Sequence, residues 1–147
     1  MEIAILGLGC FWGPEIKFSK LDGVVKTEVG YCGGNSSKTT YKEVCTGTTN
    51  HAEVVKLDFD PKIISYEKIL KFFFEIHDPT TLNSQGPDFG TQYRSEIFYL
   101  NDQQKEISEK VIKEENIKFS EKIVTKTSLV KNYCPAEEYH QKYLEKR

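Results

Sequence analysis

Cysteines at positions 10, 32, 45 and 134 are the most reactive side chains in this sequence. None is spaced from another as Cys-x-x-Cys, and none is spaced from a histidine as a zinc-ligand pair. That spacing predicts free thiols and no metal, which leaves open which thiol reacts as a thiolate. Cys10 is singled out by its surroundings. It sits in Gly7-Leu8-Gly9-Cys10-Phe11-Trp12-Gly13, between an apolar run and a helical pattern. Unpaired N–H groups and the positive end of a helix dipole would favour a thiolate there. The alternative is a small buried hydrophobe, the commoner fate of a cysteine, but two large aromatics beside a strand-to-helix junction favour a nucleophile. The glycines do not have the spacing of a dinucleotide fingerprint, and Phe11 and Trp12 would crowd a pyrophosphate, so no nucleotide is expected.

Glu53 is the second candidate. Side chains alternate along the strand expected over Ala52–Phe59, so Glu53 shares a face with Val55, Leu57 and Phe59, while Lys56 and Asp58 point the other way. A carboxyl in an apolar register holds its proton to higher pH, as a general acid at neutral pH requires. If the strand instead begins after it, Glu53 is merely exposed. Tyr41, Asp88, Tyr93 and Arg94 lie on two long loops and could hydrogen-bond a polar ligand. His51, His77 and His140 lack ligand spacing and read as structural.

The elements that must position these residues are legible from periodicity. Ile3-Ala4-Ile5-Leu6 reads as a buried strand. Phe11, Pro14, Phe18 and Leu21 form one helical face, and Asp22-Gly23 closes that helix. Val24–Tyr31 and Ala52–Phe59 read as strands flanking a Gly/Ser/Thr-rich loop. Ser65 caps a buried helix that runs to Ile76, before Asp78-Pro79. From Asp78 to Arg94 no period exists, and a loop of that length inside a compact domain is usually functional. Glu96–Leu100 is a strand, and Asn101 with Gln104 opens a helix carrying Ile107, Val111 and Ile112. A strand over Ile123–Val130 and a polar helix from about Ala136 complete the chain. The order predicts an α/β (α+β) two-layer sandwich, a mixed β-sheet with helices packed against it, in a single catalytic domain over residues 1–147.

Composition narrows the partners. With 147 residues, Lys plus Arg 20 against Asp plus Glu 22 and a net charge of -2, there is no basic excess to attract nucleic acid. The apolar run Ile3 to Gly13 is far short of the roughly 20 residues that span a bilayer. No Lys or Arg precedes it, unlike a signal peptide, so the cytoplasm is the expected location.

Taken in order, these motifs resemble the methionine sulfoxide reductase A family, the peptide-methionine (S)-S-oxide reductases. The resemblance rests on Gly9-Cys10-Phe11-Trp12-Gly13-Pro14-Glu15, on Gly30-Tyr31 with Gly33-Gly34, on Tyr41-Lys42-Glu43-Val44-Cys45, and on His51-Ala52-Glu53-Val54-Val55. It continues through His77-Asp78-Pro79-Thr80-Thr81-Leu82-Asn83, Asp88 with Gly90-Thr91-Gln92-Tyr93-Arg94-Ser95, and Pro135-Ala136-Glu137-Glu138-Tyr139-His140-Gln141, which is essentially the whole chain.

The resemblance implies that Cys10 attacks the sulfoxide sulfur and Glu53 protonates its oxygen, leaving methionine and a sulfenic acid on Cys10. It implies that Tyr41 and Tyr93 hydrogen-bond that oxygen, that Phe11 and Trp12 form the S-methyl pocket, and that Asp88 helps bind substrate. One sulfoxide epimer, S, would be accepted, either free or in oxidised proteins. No bound cofactor is implied, only an external thiol such as thioredoxin, glutaredoxin with glutathione, or dithiothreitol, and a monomer is expected. Many members carry recycling cysteines in a Gly-rich C-terminal tail, whereas this sequence stops at Arg147. Cys32 stands where alanine is common and Cys134 where an aromatic is common. The expectation is therefore a one-cysteine cycle with external reduction. The alternative is resolution by Cys134 or Cys32, which requires Cα atoms within about 7 Å of that of Cys10. Ser84, Pro87 and Asn50 also depart from common family residues. Competing classes are a non-catalytic reader of oxidised methionine, a thiol peroxidase and a cysteine hydrolase. Cys10 together with Glu53 argues against the first, the apolar pocket against the second, and the lack of a histidine placed beside Cys10 against the third.

Overall fold

A computed structural model describes residues 1–146. Six strands form one mixed sheet: β1 (Glu2–Leu8), β2 (Val24–Cys32), β3 (Ala52–Phe59), β6 (Ser95–Tyr99), β7 (Lys126–Leu129) and β8 (Cys134–Pro135), in the order β7-β6-β1-β3-β2-β8. Only β6 and β7 run parallel. A two-stranded hairpin, β4 (Ser84–Gln85) with β5 (Asp88–Phe89), stands apart from it. The helices are α1 (Trp12–Ser19), α2 (Tyr41–Cys45), α3 (Tyr66–Glu75), α4 (Asp102–Lys118) and α5 (Tyr143–Lys146).

Strand alternation divides the sheet into two faces. Leu6, Val29, Tyr31, Val55, Leu57 and Phe59 pack against Phe18 of α1, Ile69, Leu70 and Phe73 of α3 and Val111 of α4. Ile5, Cys32, Ala52, Val54 and Phe98 form a second, smaller cluster on the reverse face. The result is the expected two-layer α/β sandwich. The caps act where the sequence placed them. The Ser65 hydroxyl accepts from Lys68 N at 3.1 Å and Asn101 Oδ1 from Gln104 N at 2.8 Å. Gln104 then accepts from Leu100 N and donates to Ile3 O, which docks α4 on β1.

Three segments differ from their sequence reading. The loop between β2 and β3 contains α2, capped by Thr40, whose five residues are too few to display a helical period. The aperiodic stretch after α3 holds the β4–β5 hairpin and a 3-10 turn at Thr91–Tyr93. Instead of a helix from Ala136, the chain makes a 3-10 turn at Glu138–His140, and helix α5 begins only at Tyr143. Lys142 adopts φ 51, which interrupts a helix, and the polar side chains are committed elsewhere. Gln141 bonds both backbone groups of Val29, and Glu137 accepts from the Tyr31 hydroxyl and from Tyr41 N.

Glu15 fastens this terminal segment to α1. Its carboxylate is 2 % exposed and accepts from Lys142 N at 2.7 Å and from the Thr27 hydroxyl at 2.9 Å. Glu15→Ala leaves both donors without a partner and is expected to cost about 2–3 kcal/mol in urea unfolding. Trp12, which stacks on Tyr143 just beyond Lys142, should lose fluorescence anisotropy in the same variant.

Candidate active site

Cys10 follows β1 and precedes α1, so the strand and the helix fix it from both sides. Gly9 adopts φ 100, and a Cβ there would lie 2.8 Å from Cγ of Gln85, so only glycine admits this approach. Gln85 accepts from Asp78 N and donates to Asp78 O, closing the loop after α3 over the start of α1. The same hairpin carries Asp88, whose charge acts on both Cys10 and Glu53.

Glu53 occupies the apolar register its alternation required. It pairs with Tyr31 across β2–β3 and is 1 % exposed. Phe11 N donates to its Oε1 at 3.3 Å, so the carboxyl lies against the residue following Cys10. Gln92 Nε2 donates to Oε2 at 3.0 Å. Burial pushes the carboxyl up to about 7, against the pull of these two donors and with the help of Asp88. Glu53 is therefore largely protonated below neutral pH.

Cys10 departs from expectation. Burial pushes its thiol up to about 11, and the N–H of Trp12 offsets only part of this, while Glu53 and Asp88 push it further up. Phe11 caps α1, so Cys10 stands one residue outside the helix end and is more affected by desolvation than by the dipole. At neutral pH it rests as the thiol.

Tyr41 and Tyr93 converge on the same place from α2 and from the 3-10 turn. The two phenols influence one another, and the fields of Glu53 and Cys45 reach both. Burial raises both phenols, Tyr93 to about 12, so they remain neutral donors. Phe11 packs on Tyr31 and His140, with ring centroids 5.7 Å and 5.3 Å away, and Trp12 donates its indole N–H to His140 Nδ1 at 3.1 Å. Tyr41 rests on His140 at 4.5 Å, so this histidine touches three side chains of the site.

Other candidates fall elsewhere. Arg94 is an ion-pair partner of Glu96 at 2.6 Å and clamps the carbonyls of Thr91 and Asn50, so it braces loops and does not face Glu53. Cys32 is fully buried on the reverse face of the sheet, with its thiol donating to Lys131 O. Cys134 stands on edge strand β8 opposite Tyr31, with its sulfur toward Thr39 O. Two residues that sequence reading did not place in the site belong to it. Gln92 donates to Glu53, and its Nε2 also lies 3.5 Å from the sulfur of Cys45. Their only sequence signal was membership in matched motifs. Among the described residues, no group of three or more His, Cys, Asp and Glu side chains could hold a metal ion.

A buried neutral carboxylic acid and a thiol, brought together with two phenols and aromatic side chains beside one end of β3, fit a thiol-dependent enzyme that acts on a proton-accepting substrate group. Comparison with known proteins sharpens the class. Residues 2–147 match the family described as peptide methionine sulfoxide reductase. A protein of Pelagibacter ubique named peptide methionine sulfoxide reductase MsrA is 84% identical over 147 residues, 100% of each chain. Mxr1 from Saccharomyces cerevisiae in reduced form superposes with a TM-score of 0.96 at 44% identity, covering 99% of this chain and 85% of that one. Mxr1 in complex with Trx2 superposes with a TM-score of 0.70 at 29% identity, covering 97% and 84%. The chain belongs to the peptide methionine sulfoxide reductase family.

Proposed function

We propose that this enzyme reduces methionine-S-sulfoxide, free or in oxidised proteins, to methionine and so repairs oxidised methionine. The observation that carries the mechanism is the buried Glu53 carboxyl, neutral up to about 7, against the residue that follows Cys10. Glu53 and the hydroxyls of Tyr41 and Tyr93 bind the sulfoxide oxygen, and transfer of the Glu53 proton makes the sulfur electrophilic. The Cys10 sulfur attacks, and its proton restores the acid. The attack forms a transient bond between the two sulfurs; as the S–O bond of the substrate breaks, the hydroxyl passes to the Cys10 sulfur and the sulfur–sulfur bond cleaves, leaving a sulfenic acid on Cys10 and the substrate as a thioether. Substrate sulfur gains two electrons and Cys10 sulfur loses two. Phe11 and Trp12 seat the methyl group, and Asp88 on the hairpin positions the substrate.

An external thiol, of the thioredoxin or glutaredoxin-with-glutathione type, supplies the electrons that restore Cys10. The capture of Mxr1 with Trx2 supports this reading. The cysteines at 10, 32, 45 and 134 are all free, which fits the reducing cytoplasm. Because the acid and the methyl pocket are fixed on different elements, only one configuration at sulfur presents its oxygen to Glu53. With dithiothreitol and separated epimers of a methionine sulfoxide peptide, the S form is expected to be consumed and the R form to remain. Equal consumption of both would remove the assigned geometry.

A further inference from the structure

Gln92 holds one oxygen of the Glu53 carboxyl, and Phe11 N holds the other. Gln92 lies in the 3-10 turn at Thr91–Tyr93, whose shape is fixed by its own bonds. Tyr93 N donates to Gly90 O at 3.0 Å, and the Arg94 guanidinium, held by Glu96, reaches back to Thr91 O at 2.8 Å. The turn packs on β3 and leaves Gln92 5 % exposed, with its Nε2 3.0 Å from Glu53 Oε2 and 3.5 Å from the sulfur of Cys45. Both neighbours can accept, so the NH2 group is engaged on two sides and the amide is held in one orientation.

Two N–H donors on a carboxyl favour its ionised form. The neutral acid accepts well only at its carbonyl oxygen, whereas the carboxylate accepts at both, and hydrogen bonds to a charged oxygen are roughly twice as strong. Burial works the other way: the Glu53 carboxyl is 1 % exposed, so no water replaces a donor that is lost. The other titratable groups around it are Cys10 ahead of α1, Tyr31 on β2, Tyr41 on α2, Asp88 on β5 and Tyr93 on the 3-10 turn. Burial pushes the thiol and the three phenols up, so they stay neutral near pH 7, and the charge of Asp88 opposes ionisation of Glu53. None of these groups supplies a positive charge. The bond from Gln92 is also the shorter of the two, 3.0 Å against 3.3 Å from Phe11 N.

We infer that Gln92 is a positioning residue for the reductive step, fixing the Glu53 carboxyl and stabilising the carboxylate formed as its proton passes to the sulfoxide oxygen. This rests on the reductase reading above. Gln92 exchanges neither proton nor electron and acts only through Glu53. Without it the buried acid holds its proton more tightly, which slows the transfer and moves the ionisation of Glu53 to higher pH.

The test is the rate of the first turnover, with fully reduced enzyme, the S sulfoxide over a range of concentrations and no reductant. Unmodified enzyme, Gln92→Met, Glu53→Gln and the double variant are compared. Methionine keeps the length of the side chain and removes the donor, and Gln92→Leu takes its place if that variant does not fold. In Gln92→Met the saturated rate is expected to fall by about ten- to a hundredfold, with the half-saturating sulfoxide concentration unchanged to within about twofold. The fall of the rate with pH should move up from about 7 by about one unit. In the Glu53→Gln background the same substitution should change the rate by less than about twofold, because the group it acts through is gone. An equal loss in both backgrounds, an unmoved pH profile, or a change confined to the half-saturating concentration would overturn the role of Gln92 and leave the reductase reading intact. Absence of methionine from the unmodified enzyme would overturn the reductase reading itself, and the role of Gln92 with it.

Discussion

Cys10→Ser is expected to fold and to form no methionine, with a loss of at least about a thousandfold in turnover. The serine hydroxyl is a poor nucleophile toward sulfur and cannot take up the oxygen by two-electron oxidation, so no slower version of the step remains. The side chain is only partly buried, and the swap removes no packed carbon atom, so stability in urea should move by well under about 1 kcal/mol. Methionine release followed by chromatography, beside an unfolding curve, separates a chemical loss from a folding one. Residual turnover above that level would mean that another thiol performs the attack.

Glu53→Gln is expected to lower turnover by about two to four orders of magnitude while leaving substrate affinity nearly unchanged, because a proton donor is lost and the shape is kept. In the unmodified enzyme the rate should fall as pH rises through about 7, where Glu53 ionises, and in Glu53→Gln that fall should disappear. Stability carries the same signature. The folded carboxyl holds its proton to about 7 and the unfolded one to about 4.5, so between those values the folded state binds more protons. Folding therefore weakens as pH rises across that window, by about 3 kcal/mol, and Glu53→Gln should abolish this component of the slope in urea unfolding. An unchanged pH profile of turnover would remove Glu53 as the acid.

Glu53 could be placed from sequence because a period of two fixes the face of a strand residue without knowledge of what packs there. Ser65 and Asn101 were readable for a similar reason, since a cap acts on N–H groups three residues away. Cys45 and Gln92 were not. They meet because the 3-10 turn at Thr91–Tyr93, packed on β3, brings Gln92 against the end of α2, and neither segment carries a pattern that points to the other. Arg94 looked like a ligand-binding residue because a loop arginine can face either side of a sheet, and its partner Glu96 lies two positions along a strand, on the face away from the acid. At Cys10 the helix dipole is a property of the local chain alone. Burial, helped by the charges of Glu53 and Asp88, reversed its sign, and those two charges come from distant positions.

In this mechanism Cys10 takes the oxygen from the sulfoxide before any external electron arrives. Rapid quenching of fully reduced enzyme with excess S sulfoxide and no reductant tests it most directly. A burst of one methionine per chain is expected, followed by no further product until thiol is added, and no burst in Cys10→Ser. Methionine that appears only when reductant is present, or a burst that survives in Cys10→Ser, would contradict it.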